Sequence, residues 1–202
     1  MKSAELLFWL RSRRSVRKFK PDPVPEATIN QILETATWAP NAHNRQPWRF
    51  AVLTGEEAKS DLTEAMAPEF KRALTAEGAP PEEIEKALAR SRRRIMGAPV
   101  VILLCLQPEV MNTYADPTRQ EGEYLIAVQS VAMAGSHLLL AAHAEGLGGV
   151  WNCAPLFAPS QVRQALGLPK SWEAQGMVLL GYPAGEPSER HRKPPEDVIR
   201  FI

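Results

Sequence analysis

Residues 122–145, GEYLIAVQSVAMAGSHLLLAAHAE, constrain the fold more than any other stretch of this chain. They suit the longest helix in the protein, and that helix is apolar over much of its circumference. A helix without a polar face has to be buried. In a chain of 202 residues this leaves the domain centre or a subunit interface. The segment 124–142 is interrupted by Gln129, Ser130, Ser136 and His137, so it reads as a packed helix and not a membrane span. Gly146 follows and can cap its end.

The remaining elements are set around that helix by their periodicity. Residues 3–12 read as a short helix with Leu6, Leu7 and Leu10 on one face. Pro25 opens a second helix carrying Ile29, Ile32, Leu33 and Ala36, and Pro40 ends it. PNAHNRQP (40–47) is a polar loop, and WRFAVL (48–53) is rich in strand formers. Residues 56–67 and 81–96 read as helices with a polar, proline-containing connection between them. PVVILLCL (99–106) is continuously apolar, as a strand covered on both faces would be. GGVWN (148–152) and GMVLLGYP (176–183) are further strands, and 158–168 is a helix opened by Ser160. Helices and strands alternate loosely, which predicts one α+β domain over 1–202 with a mixed central sheet flanked by helices. The tail 184–202 is charged but ends in Val198, Ile199, Phe201 and Ile202, as an arm that packs on something would.

Charge and cysteine content exclude several functions. With 24 Lys+Arg against 23 Asp+Glu, the formal net charge is +1, which argues against nucleic-acid binding. Cys105 and Cys153 lie in apolar surroundings and suggest inert thiols in a reducing, cytoplasmic compartment. Among the four histidines no pair stands at metal spacing, and His137 and His143 read as packing or capping groups, so no metal site is expected. GLGGVW (146–151) looks like a dinucleotide fingerprint, but it follows a helix where the fingerprint needs a strand.

The charge that remains is unevenly placed. Basic residues cluster at 11–20, at 90–94 and at 190–193. Any one cluster could be a solvated face. Together, guanidinium forks from distant segments can grip one phosphate. The amide-rich loop 40–47 suits a heterocycle with imide-like edges. A phosphate plus such a heterocycle describes a mononucleotide cofactor.

RRSVRKF (13–19), WAPNAHNRQPWRF (38–50), GLGGVWN (146–152) and ERHRKPPEDV (189–198), in that order, resemble the FMN-dependent nitroreductase family. AHNRQPWRF and WNCAPLFAP are most similar to the nitroreductase-like domain fused to some deazaflavin-coenzyme glutamyl ligases. The resemblance implies a nitroreductase-like fold and a homodimer with FMN held between the subunits. Helix 122–145 would then be the dimer core, and 184–202 an arm on the partner. The family's phosphate ligands fall on Arg13 and Ser15, with Arg190 and Arg192 reaching the same region and Arg14 adjacent. Arg17 falls near the pyrimidine edge, where it would stabilise reduced flavin. Pro40, Asn41, Ala42, Asn44 and Gln46 would line the ring from the other subunit. The family often has serine where Ala42 stands. Ser91 and Arg94 fall near flavin-touching positions, and the backbone at Trp151 and Asn152 would face the hydride-accepting nitrogen. The implied reaction is ping-pong transfer from NADH or NADPH, through FMN, to a small oxidised acceptor such as a nitroaromatic or quinone, with no essential acid–base residue. A deazaflavin-coenzyme precursor as acceptor, a flavin destructase or dehalogenase relative, and a non-catalytic flavin-binding module are the alternatives.

Overall fold

Val100–Leu106 (β2) is buried along its whole length because both its faces are covered. Val100, Ile102, Leu104 and Leu106 join one hydrophobic cluster with Ile29, Ile32 and Leu138. Val101, Leu103 and Cys105 point the other way, into a second cluster with Leu62, Ile95 and Val162. This period of two is what a pleated strand between two helical layers requires. The computed structural model describes residues 2–187 and 190–202. Glu189, part of one family motif, lies outside them.

β2 is flanked by Trp48–Leu53 (β1) and Glu173–Gly181 (β4), and Gly148–Asn152 (β3) completes the order β1-β2-β4-β3. Every neighbouring pair is antiparallel. The mixed sheet expected from the sequence therefore reduces to one parallel bridge, between Ser15 and Gly149. Helices Glu26–Ala36 (α2) and Pro117–Ala144 (α5) cover one face. Glu56–Ala76 (α3), Pro81–Met96 (α4) and Pro159–Ala165 (α6) cover the other. Ser3–Ser12 (α1) has no buried residue of its own.

Two helices are longer than the sequence reading. α3 runs through Pro68 to Ala76 and does not stop at residue 67. α5 begins five residues before 122, where the Asp116 carboxylate accepts the Arg119 N–H at 3.2 Å and Pro117 takes the first helical position. α5 is also long and apolar enough to cross a membrane by length and composition, contrary to the sequence reading. Its Ala127, Val131, Ala134 and Leu138 are instead packed on the sheet. Its opposite face leaves Leu125 and Met133 exposed, and Phe8, Trp38 and Phe201 are exposed elsewhere.

Candidate functional site

The segment after α1 lies along the start of β3. The Val16 N–H donates to the Gly149 carbonyl at 3.1 Å, beside the Ser15–Gly149 bridge. Lys20 N–H donates to the Tyr182 carbonyl at 2.8 Å and the Ala184 N–H to the Lys18 carbonyl at 3.1 Å, so the strip is tied at both ends. This explains the glycines of GLGG. A Cβ on Gly148 would stand 2.6 Å from the Val16 Cβ. The motif is a close approach between two backbones, and no helix starts there to cradle a phosphate.

Docking this strip gathers positive charge. Burial lowers the pKa of Arg13 from its ordinary value, and the charges of Arg192 and Arg14 lower it further. Two basic clusters nearly 180 residues apart in sequence thus lie within electrostatic reach of each other, and among the described residues no carboxylate forms a salt bridge with Arg13 or Arg192. Arg14 also donates to the carbonyls of Arg11 and Arg13. Ser15 and Arg17 are exposed beside them, with Arg17 Nη1 3.5 Å from the Ser15 carbonyl oxygen. Arg190 is exposed and joins no described contact.

A feature with no signal in the sequence supports the strip from behind. The Ser12 hydroxyl lies 2.8 Å from His143 Nε2, and the His143 ring stacks on Trp9 with centroids 5.1 Å apart. Burial and the Arg13 charge hold the His143 imidazole below its ordinary pKa. His143 therefore packs, as expected, but it does so against the basic segment.

β3 carries the site toward its other end. Asn152 is three residues beyond Gly149, roughly 10 Å along the strand. The Asn152 carbonyl side-chain oxygen accepts the Ala154 N–H at 2.8 Å, which turns the chain away from the sheet. The Trp151 indole fills space left by Gly135 and Gly176, where a Cβ would come within 2.2 and 2.7 Å of the ring. Its Nε1 donates to Cys153 Sγ at 2.9 Å. Cys153 is exposed, contrary to the sequence reading. Cys105 is buried, and burial pushes its thiol up to about 12.

Asn152 and Cys153 border a cavity of about 790 Å³ between α3, α4 and the turn after β3. Ser91 and Arg94 line it with Phe70 and Phe157. Four of the residues singled out in the sequence readings therefore meet here: Ser91, Arg94, Asn152 and Cys153.

The loop 40–46 does not join them from the same chain. The Ala42 N–H donates to the Ser130 hydroxyl at 3.2 Å, while Arg13 sits by His143. Thirteen residues of α5 separate those anchors, about 20 Å at the helical rise. Pro40, Asn41, Ala42, Asn44 and Gln46 thus belong to a loop held along the N-terminal half of α5, from Glu123 to Ser130, and the guanidinium cluster lies near its C-terminal end.

A three-layer α+β domain with a four-stranded antiparallel sheet and a long central helix is the nitroreductase-like fold. The chain belongs to the nitroreductase family, whose profile matches residues 10–182. The Thermus thermophilus protein named NADH dehydrogenase is 36% identical over 195 residues, covering 93% of this chain and 91% of that protein. The Bacillus subtilis protein YfhC, named for NAD(P)H nitroreductase activity, is 31% identical over 188 residues, covering 93% and 89%. A Desulfovibrio desulfuricans protein of the nitroreductase type, crystallised in complex with FMN, superposes with a TM-score of 0.72 at 26% identity over 98% of this chain and 96% of its own.

Proposed function

We propose that this chain is an FMN-dependent NAD(P)H oxidoreductase that works as a homodimer and passes electrons to a small oxidised acceptor. The observation that carries the reading is that Arg13 feels the charges of Arg192 and Arg14 with no salt bridge to a carboxylate at any of the three among the described residues, an excess of positive charge that suits a phosphate monoester. When bound, FMN supplies the redox chemistry, taking electrons from a nicotinamide and giving them to the acceptor in turn. The chain's own residues bind and orient. Arg13, Arg14, Ser15 and Arg192 would hold the phosphate, with Arg190 nearby in sequence. Asn152, Ser91 and Arg94 border the space for the ring, and the cavity beyond offers an apolar acceptor site walled by Phe70 and Phe157. The loop 40–46, about 20 Å along α5 from its own cation cluster, suits the flavin of a second copy. A second copy would also cover Leu125, Met133 and the exposed tail Val198–Ile202.

Arg17 is assigned to the flavin's pyrimidine edge. Arg17→Ala should keep FMN but slow reduction by NAD(P)H about tenfold, the size of one charge-assisted hydrogen bond. Stopped-flow absorbance without air measures this, and unchanged rates would remove Arg17 from the role. The reading as a whole is tested by colour. The purified protein should be yellow and should bleach when NADH or NADPH is added anaerobically. A protein that stays yellow with both donors would favour a flavin-binding module. Incubating the bleached protein with a nitroaromatic, a quinone and a deazaflavin-coenzyme precursor in parallel separates the acceptor classes.

A further inference from the structure

Glu123, in the second turn of α5, is only 4% exposed. A carboxylate is rarely buried this far without partners that hold it there. Its Oε1 accepts the Asn112 N–H at 3.0 Å, and its Oε2 lies 3.7 Å from His43 Nε2. Both partners lead into the loop 41–46. His43 belongs to the loop, and the Asn112 side-chain oxygen accepts from the Arg45 guanidinium.

That loop is held in an unusual conformation. His43, Asn44 and Gln46 have φ of 53°, 51° and 50°. None is glycine, and three left-handed residues so close together persist only when the surroundings over-determine them. Part of the constraint is internal: Asn41 Oδ1 accepts the Gln46 N–H at 2.9 Å. That contact shapes the loop but does not attach it to the fold. Attachment comes from Ser130, which receives the Ala42 N–H, from Arg49 on β1, which donates to the Gln46 carbonyl at 3.0 Å, and from Glu123 through His43 and Asn112–Arg45, the one tie among the described residues that reaches the left-handed His43 itself.

We propose that Glu123 is a positioning residue, gripping the loop 41–46 from within the core so that it meets the cofactor in one conformation. This rests on the flavin reading above, in which the loop lines the ring. A capping role toward Asn112 alone would not need a carboxylate, since an amide oxygen accepts the same N–H. Glu123→Gln separates the two: it keeps that acceptor and removes the charge facing His43. His43→Ala removes the other partner at a half-exposed site and leaves the core untouched.

Hydrogen exchange of the peptide spanning 41–47, tryptic cleavage after Arg45 in the apoprotein, and FMN titration by fluorescence quenching form the test. In both variants, loop exchange and cleavage should quicken and FMN affinity should fall, each about tenfold, as expected when a positioning contact is lost. Exchange elsewhere should match the parent protein. A loop as protected as in the parent would overturn the proposal. So would a loosened loop with unaltered FMN affinity. A parent protein that takes up no FMN would sink the flavin reading instead, while exchange in the apoprotein still reports whether Glu123 anchors the loop.

Discussion

Arg13→Ala should weaken FMN binding about 10- to 100-fold and leave the apoprotein at least as stable as the parent. The first half follows from the loss of a charge-assisted contact to phosphate, about 1.5–3 kcal/mol. The second follows from the apoprotein's electrostatics. Burial and the neighbouring charges of Arg192 and Arg14 all act against the charged form of Arg13. A guanidinium stays protonated regardless, so the opposition appears as strain in the empty site. Removing Arg13 relieves that strain, and binding a phosphate relieves it too. Thermal unfolding with and without FMN should therefore move in opposite directions on substitution, a trade-off expected of a binding site. Arg13→Lys should recover only part of the affinity, because an ammonium keeps the charge and loses the fork. An Arg13→Ala apoprotein several degrees less stable than the parent would instead mark Arg13 as a structural group.

The elements legible in the sequence are those whose pattern is local. β1, β3, α1 and α4 end where the alternation, the proline or the capping signals place them. For α3 the sequence pattern stops at residue 67 because Pro68 reads as a breaker, yet the helix continues past it. The site was legible as segments and illegible as an arrangement. Basic residues at 13 and 192 are visible in the chain, but only the docking of the strip on β3 brings them together. Nothing local announces Glu123, since its partners His43 and Asn112 lie on separate loops. Cys153 misled for a related reason. Its apolar neighbours Leu156 and Phe157 suggest burial, yet both are exposed and leave the thiol open. Apolar sequence predicts a buried surface without saying which molecule buries it.

Gly148→Ala is the substitution expected to do most damage with the fewest atoms. The added Cβ would lie 2.6 Å from Val16 Cβ and Cγ2 and 2.8 Å from Cγ1. These atoms branch at the root of a buried side chain and cannot swing aside, so the backbone of the strip has to move. Overpacking of this kind costs about 1–3 kcal/mol, or roughly 2–12 °C in Tm for a chain of this size. The larger effect falls on the cofactor. Arg13, Arg14 and Ser15, the groups assigned to the phosphate, all ride on the displaced strip, so FMN affinity should fall further than in Arg13→Ala, by about 100-fold or more, because more than one charge-assisted contact is displaced. Stability loss alone cannot produce that, because a folded fraction would still bind with the parent's affinity. The compensating change is Val16→Gly, which removes all three atoms the new methyl would meet, whereas Val16→Ala would leave the 2.6 Å Cβ contact in place. If the double variant recovers FMN binding well beyond the Gly148→Ala single, steric contact between residues 16 and 148 is what registers the phosphate site on β3. If Gly148→Ala binds FMN like the parent, the strip reaches the cofactor by some other support than the edge of that strand.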